Sequence, residues 1–222
     1  MTTETSLDAL HARYQEVREG FPESLRVRLH RALSWLRRAE LLGEDLDAQY
    51  LFRWIAFNAA YARDQTMNDA VGTERTRYGA FFQAVAAADR QQSLQRELFT
   101  TFSGPIRTLI DNRYVYEPFW RAMREGDSSD AWEVGFDAAK RAAMHALMRE
   151  NTVTVLSIVF DRLYVLRNQL MHGGATWNSR VNRQQLADGT RILGTLVPIM
   201  ISLMLEHPDR DYGEIMYPVV SD

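Results

Sequence analysis

The segment of residues 152–174 says most about the fold of this chain, and it reads TVTVLSIVFDRLYVLRNQLMHGG. Its apolar residues recur at helical spacing, as shown by Leu156, Phe160, Leu163, Leu166 and Leu170. Gly173 and Gly174 then end the pattern, because glycine favours the left-handed conformation that closes a helix. Residues 153–159 are rich in β-branched side chains and leave a strand open as the alternative there. We expect one long helix over residues 152–171.

The rest of the chain also favours helices, since 222 residues contain only six prolines and twelve glycines. Apolar spacing and stop signals predict further helices over residues 5–19, 22–42, 45–63, 77–90, 93–102, 105–112, 115–124, 130–149 and 181–206. A polar loop is expected over residues 64–76 and an extended tail over residues 207–222. The predicted fold class is therefore all-α.

The predicted organisation is a single domain over residues 1–222, since no repeat, low-complexity stretch or linker divides the chain. Within it we expect an N-terminal helical pair in residues 1–44 and a bundle core in residues 45–206, followed by the tail. The helix over residues 45–63 has apolar residues on nearly all sides and is expected to be central. Asn58 lies in this helix and needs hydrogen-bond partners if it is buried.

The composition excludes several classes of function. There is no cysteine, which removes disulfides, thiolate metal sites and a cysteine nucleophile. The five histidines are scattered without metal-ligand spacing, so neither a metal site nor a cofactor is expected. A net charge of −3 does not indicate nucleic-acid binding by bulk charge, although a local basic pocket stays open. The N-terminus lacks an apolar signal sequence, and the longest apolar run, residues 192–205, is shorter than a membrane span. These features predict a cytoplasmic, non-membrane protein.

Polar residues interrupt the apolar helix near its end. Arg167 and Asn168 lie within it, and His172 falls where it stops. Five residues turn an α-helix by about 500°, so Arg167 and His172 point roughly 140° apart, about 7.5 Å offset along the axis. Either the last turn unwinds at the glycines or these residues meet partners from elsewhere, such as a second copy of the chain. The structural alternative is an ordinary helix end, with Arg167 paired to a carboxylate and His172 close to the terminal carbonyls.

The segment RNQLMH at residues 167–172 resembles the R-N-x-x-x-H signature of HEPN-domain proteins, an all-helical family of metal-independent ribonucleases and inactive relatives. Two further segments are similar to bacterial members: FRWIAFNAAYAR at residues 52–63, and the stretch from RNQLMHGGATWNSRVNRQQLADG to PDRDYGEIMYPVV. The resemblance implies a HEPN-like helical bundle with additional helices, a homodimer and an RNA substrate. It also implies Arg167 and His172 as the catalytic pair, with Asn168 supporting them.

Other residues near the motif have a functional and a structural interpretation. Trp177 and Asn178 follow the glycines and would line the RNA-binding cleft that the resemblance implies, with the indole available for a base to stack on. The structural alternative is that Trp177 packs against the protein. Asn58 would orient Arg167 from a neighbouring helix, or it is simply a satisfied core asparagine. Some toxin members of the family carry a tyrosine two residues after the histidine, which their antitoxins modify. Gly174 occupies that position here, so the identity of any antitoxin or other regulatory partner stays open.

The residues of the motif suit RNA cleavage because RNA carries its own nucleophile, the 2′-hydroxyl. The reaction needs a base, an acid and positive charge on the phosphorane, which histidine and arginine supply. One histidine cannot be base and acid at once, and a two-fold dimer would bring two copies to one cleft. The expected function is a metal-independent endoribonuclease acting on single-stranded RNA, with a toxin or defence role possible. The alternative is a non-catalytic dimeric module that binds RNA, a nucleotide or a protein partner.

Overall fold

The computed structural model describes residues 6–61, 74–213 and 215–220, with the side chains of residues 74–77 left aside. Helices make up 76% of the described residues, and no strand occurs among them. The all-α prediction is confirmed. The helices of the described ranges are α1 (Leu7–Val17), α2 (Glu23–Glu40), α3 (Leu46–Tyr61), α4 (Glu74–Ala88), α5 (Ser93–Arg96), α6 (Ser103–Asp111), α7 (Glu117–Glu125), α8 (Ala131–Met148), α9 (Thr152–Met171) and α10 (Arg183–Glu206).

The predicted helix bounds agree with the observed ones to within about three residues, with two differences. The predicted loop over residues 64–76 is wrong at its end, because α4 begins at Glu74. Its first turn is polar, so apolar spacing gives no sign of it; residues 62–73 lie outside the described ranges. The predicted helix over residues 93–102 is divided into α5 and a π-helical turn, Glu97–Thr101. The Phe102 N–H donates to the Glu97 carbonyl at 2.8 Å, which accommodates one extra residue in the turn.

The centre of the molecule is formed by α3, α9 and α10. In α9 every residue from Val155 to Phe160 is buried, so this helix is surrounded on all sides. The β-branched run at residues 153–159 is therefore helical, because tertiary burial outweighs its strand propensity. Asn151 caps the start of α9 by accepting from the Thr154 N–H at 3.1 Å.

Helices α3 and α9 run antiparallel and share an aromatic cluster. The Phe57 and Phe160 rings lie 4.3 Å apart between centroids, and the Phe82 ring lies 5.1 Å from Phe160. One end of the pair is tied by the Tyr50 hydroxyl, which donates to the Leu163 carbonyl at 2.6 Å. The register of α3 against α9 is thereby set by buried contacts.

Both termini of the described chain pack onto this centre. Leu10 of α1 and Leu29 of α2 belong to the same buried cluster as α9 and α10, so the predicted N-terminal pair shares the common core. Arg28 is almost fully buried and donates to the carbonyls of Ala60 and Gly213, at 2.9 and 2.8 Å. These bonds hold part of the C-terminal tail against the bundle, and the Tyr212 ring of the tail is buried.

Helix α10 combines length with apolar composition. Among the described residues it is the one helix whose length and hydropathy would let it cross a membrane. In the bundle 67% of that apolar window is buried, as in the core helix of a globular protein. Pro198 lies inside this helix. Gly189 of α10 lies directly against Tyr50 and Leu163, where the three central helices meet.

Candidate functional site

The C-terminal end of α9 is a regular, capped helix end. The His172 N–H donates to the Asn168 carbonyl at 3.0 Å, and the Gly174 N–H donates to the Gln169 carbonyl at 2.7 Å. Gly173 adopts a positive φ of 69°, the left-handed conformation expected of a helix cap. The last turn therefore does not unwind. The helix stays regular through Met171 and His172 is its C-cap, so ideal helix geometry would set the Arg167 and His172 side chains roughly 140° apart.

Arg167 is half-buried beside its neighbour on the helix. Its Nη1 donates to Asn168 Oδ1 at 2.9 Å, and its guanidinium carbon lies 5.9 Å from the Tyr164 ring centroid. Arg167 makes no ion pair with any residue in the described ranges. The predicted carboxylate partner of an ordinary helix end is thus not found there. Burial raises the pKa of Tyr50 well above its ordinary value, and the positive charge of Arg167 opposes that rise.

His172 is exposed, and its imidazole has no hydrogen-bond partner within the part of the chain that the structure describes. Large apolar side chains around the helix end are exposed too: Met171 by 53%, Trp177 by 73% and Val181 by 71%. Exposed hydrophobic side chains at one helix end are candidates for an interaction face.

The segment after the glycines is held in place by side chains from other elements. Gln169 Nε2 donates to the Tyr114 carbonyl at 2.5 Å, and Gln169 Oε1 accepts from Asn182 Nδ2 at 2.9 Å. Trp177 Nε1 donates to Asp45 Oδ2 at 3.3 Å while most of the ring faces solvent, so Trp177 does not pack into the core. Asn178 is exposed with a positive φ of 54°.

A second anchor lies beneath this segment, where α3 meets the start of α10. Arg183 Nη1 donates to Asp47 Oδ2 at 2.5 Å, and both side chains are largely removed from solvent. The cavity between Asp47 and the segment measures about 10 Å³, which is room for a single water at most. A ligand larger than a water molecule does not fit in this cavity.

Asn58 is not brought together with the motif by the contacts of the described residues. Tyr50 lies against Leu163; Asn58 is eight residues beyond Tyr50 on α3, and Arg167 is four residues beyond Leu163 on antiparallel α9. No hydrogen bond, ion pair or ring contact among the described residues joins Asn58 to Arg167. Asn58 Oδ1 is buried without a hydrogen-bond partner in the described ranges, so the satisfied core asparagine is not found either.

The sequence interpretation missed two residues that shape this region. Gln169 stands inside the quoted motif, yet its role in holding the next segment depends on Tyr114, fifty-five positions away. Asp47 occupies the first turn of α3, where a carboxylate is ordinary, and its partner Arg183 is 136 positions away. Spacing within a helix gives no sign of either contact. For Asp47, the one hint in the sequence is that an acidic residue stands in a largely apolar helix.

Two searches bear on what this region is. No group of three or more His, Cys, Asp or Glu side chains suited to a metal ion occurs among the described residues. Comparison with protein-family models, with curated proteins and with solved structures yields no match for this chain. The HEPN resemblance therefore rests on the quoted segments alone.

Proposed function

We propose that this chain is a cytoplasmic, metal-independent endoribonuclease that cleaves single-stranded RNA at a site completed by a second copy of the chain. One observation carries the proposal. An exposed histidine without a side-chain partner in the described ranges, His172, lies one helical turn from a half-buried Arg167–Asn168 pair. Neither the imidazole nor the guanidinium is neutralised by a carboxylate there, so both are free to meet a phosphodiester.

The need for a second copy follows from the helix geometry. Ideal helix geometry would direct Arg167 and His172 roughly 140° apart within one chain, and Arg167 donates to Asn168 rather than turning toward His172. The exposed Met171, Trp177 and Val181 supply apolar surface around His172 for a two-fold interface. Two motifs facing each other across such an interface would bring two imidazoles and two guanidinium groups to one cleft.

The chemistry balances with these groups alone. One His172 takes the proton of the 2′-hydroxyl, the 2′-oxygen bonds to phosphorus, and the bond from phosphorus to the 5′-oxygen breaks. The other His172 gives a proton to the leaving 5′-oxygen. Arg167 stabilises the charge on the phosphorane, while Asn168 orients the guanidinium through the bond seen on α9. The products are a 2′,3′-cyclic phosphate and a 5′-hydroxyl.

The residues after the helix end serve binding in this proposal. The Trp177 ring is largely exposed although its Nε1 is tied to Asp45, so it offers a fixed aromatic face to a base. Asn178 lies next to it on the same exposed segment, where its amide is available to a base edge. A toxin or defence role, with an antitoxin or other partner as regulator, belongs to the same proposal.

A second candidate is a non-catalytic dimeric module that binds RNA, a nucleotide or a protein partner. The observation that favours it is the bond from Arg167 to its own neighbour Asn168, which holds the guanidinium on α9 rather than toward His172. In that case the same exposed apolar face would serve dimerisation or partner binding, and no bond would be cleaved.

The decisive experiment incubates the protein with single-stranded RNA in EDTA and analyses the ends of the products. We expect a 2′,3′-cyclic phosphate and a free 5′-hydroxyl, while DNA and RNA with a 2′-O-methyl group at the scissile nucleotide stay intact. His172→Ala and Arg167→Ala should each abolish cleavage without lowering Tm. His145→Ala is the matched control, because His145 is also an exposed histidine in the last turn of a helix.

Three outcomes would contradict the nuclease. Binding of RNA without cleavage between pH 6 and 8 would favour the non-catalytic module. Cleavage that depends on a divalent metal would contradict the proposed chemistry. A monomer in sedimentation experiments, at concentrations where cleavage is observed, would contradict the shared site.

A further inference from the structure

A large cleft lies far from the end of α9. It has a volume of about 1140 Å³ and is lined by parts of α1, α2 and α3, by the α4–α5 connection, and by the C-terminal half of α10. Pro198 lies on the wall of this cleft. It is about 22 Å along α10 from Arg183, the first residue of that helix, which lies beneath the segment that follows α9. Four arginines line this cleft, which we call the arginine cleft: Arg13, Arg53, Arg90 and Arg96.

Arg53 is the most enclosed of the four. Its Nη1 donates to the Thr190 carbonyl at 2.7 Å, which fixes the guanidinium against α10. Gly194 allows this close approach, because a Cβ there would lie 2.9 Å from the guanidinium carbon. Burial lowers the pKa of Arg53, and Glu40 partly offsets that effect, yet no carboxylate of the described residues lies within ion-pair distance. Arg53 thus presents a half-buried charge with donors still available.

Two further arginines of the cleft lack ion pairs in the described ranges. Arg96 Nη2 donates to the Gln91 carbonyl at 3.1 Å, and Arg90 makes no side-chain hydrogen bond there. Arg13 differs, since its Nη1 contacts Glu206 Oε1 at 3.2 Å. Three guanidinium groups in one concave site therefore have donors that no carboxylate satisfies, and this arrangement suits an anion with several oxygen atoms.

The rest of the lining limits the size of that anion. Glu40 and Glu97 share the walls with the arginines, so a long polyanion such as RNA would meet repulsion along its length. The lining contains no Phe, Tyr or Trp, so bases would find no stacking platform. Apolar side chains such as Leu36 and Ile199 leave room for a small organic group beside the charged one. The volume is of the order of a small-molecule site, about 300–1,000 Å³.

We propose that the arginine cleft is a binding site for a small phosphorylated molecule carrying one or two phosphate groups, held chiefly by Arg53 with Arg90 and Arg96. This site is separate from the proposed RNA site at His172, and it does not depend on ribonuclease activity. Its occupation would link α1, α3, the α4–α5 connection and α10, which the cleft brings together.

The test is isothermal titration calorimetry of the full chain with inorganic pyrophosphate at constant ionic strength. We expect saturable binding, weakened about tenfold or more by Arg53→Gln, because a charge-assisted hydrogen bond from an enclosed guanidinium is lost. Arg90→Gln should weaken it as well, and this exposed residue can change without disturbing the fold. Arg37→Gln is the matched control, since Arg37 is an exposed arginine of α2 outside the cleft.

Several results would overturn the proposal. One is the absence of binding at millimolar pyrophosphate. Another is unchanged affinity in both Arg53→Gln and Arg90→Gln, and a third is equal loss in Arg37→Gln. If sulfate bound as tightly as pyrophosphate at the same ionic strength, nonspecific attraction of anions, rather than a phosphate site, would explain the measured heat of binding.

Discussion

Gly189→Ala tests the packing of the three central helices at one point. A Cβ at this position would lie 2.9 Å from Leu163 Cδ2 and 2.9 Å from Tyr50 Cε2, closer than carbon atoms pack. Neither neighbour can move easily, because Tyr50 and Leu163 are fully buried and the Tyr50 hydroxyl is bonded to the Leu163 carbonyl. Overpacking of this kind costs about 1–3 kcal/mol, and two rigid contacts favour the upper part of that range. Replacing glycine by alanine inside a helix stabilises the helix by about 1 kcal/mol, which offsets part of this cost.

We therefore expect Gly189→Ala to lower the free energy of unfolding by about 2 kcal/mol, and Tm by about 4–8 °C. Gly194→Ala is the matched control on the same helix. The three atoms nearest to its Cβ would all belong to the guanidinium end of Arg53, a flexible side chain that can give way when its hydrogen bond to Thr190 breaks. The gain in helix propensity and the loss of one hydrogen bond are both about 1 kcal/mol, so this variant should change stability little.

The measurement is urea unfolding followed by circular dichroism at the helical band, together with Tm for each variant. A Gly189→Ala protein as stable as Gly194→Ala would refute the close approach of α10 to Tyr50 and Leu163. A double-mutant cycle with Tyr50→Leu separates the cause, because Gly189→Ala should cost less in the Tyr50→Leu background, where space is available, than in the native chain. An equal cost in both backgrounds would show that the contact with Tyr50 is not the source of the destabilisation.

Two further predictions concern single side chains. Burial raises the pKa of Tyr212 to about 12, so its ionisation favours the unfolded state, in which tyrosine ionises near pH 10. The contribution of Tyr212 to the free energy of unfolding should be constant below pH 10 and be lost as the pH rises to 12. Urea unfolding at alkaline pH should therefore show a smaller loss of stability with pH in Tyr212→Phe. An equal loss in Tyr212→Phe and the native chain would contradict the raised pKa. Asn58→Leu should stabilise the fold by about 1 kcal/mol in urea unfolding, because it removes a buried oxygen without a partner in the described ranges. It should leave RNA cleavage unaltered, and loss of cleavage at normal stability would instead assign Asn58 to the site.

Part of the candidate site was accessible from the sequence. The helix that carries Arg167 and Asn168 was expected over residues 152–171 and is observed as Thr152–Met171, ending at the two glycines as expected. These features depend on residues within about five positions of each other, where backbone geometry and apolar spacing decide the outcome. For the same reason the position of His172 at the helix end followed from the sequence and is observed, since His172 is the C-cap of α9.

Other features depend on which helices meet, and these were decided by the tertiary structure. The arginine cleft unites Arg13, Arg53, Arg90 and Arg96 from separate elements, and no local spacing relates them. The sequence did not predict the start of α4 at Glu74, because the first turn of that helix is polar. It did not predict the π-helical turn before Phe102 either, because that turn adds only one residue to a helical pattern.

The amino-acid sequence by itself determined the all-α class, the length and ends of α9, and the absence of cysteine chemistry. Helical hydrogen bonds and apolar periodicity act over a few residues, so the local sequence is sufficient for them. The tertiary structure alone decided that Tyr50 reaches Leu163, that Asp47 pairs with Arg183, and that Asn58 Oδ1 is buried without a hydrogen-bond partner in the described ranges. Those relations join positions far apart in the chain, and they arise when close packing of whole helix faces selects one register among many that the same apolar pattern allows.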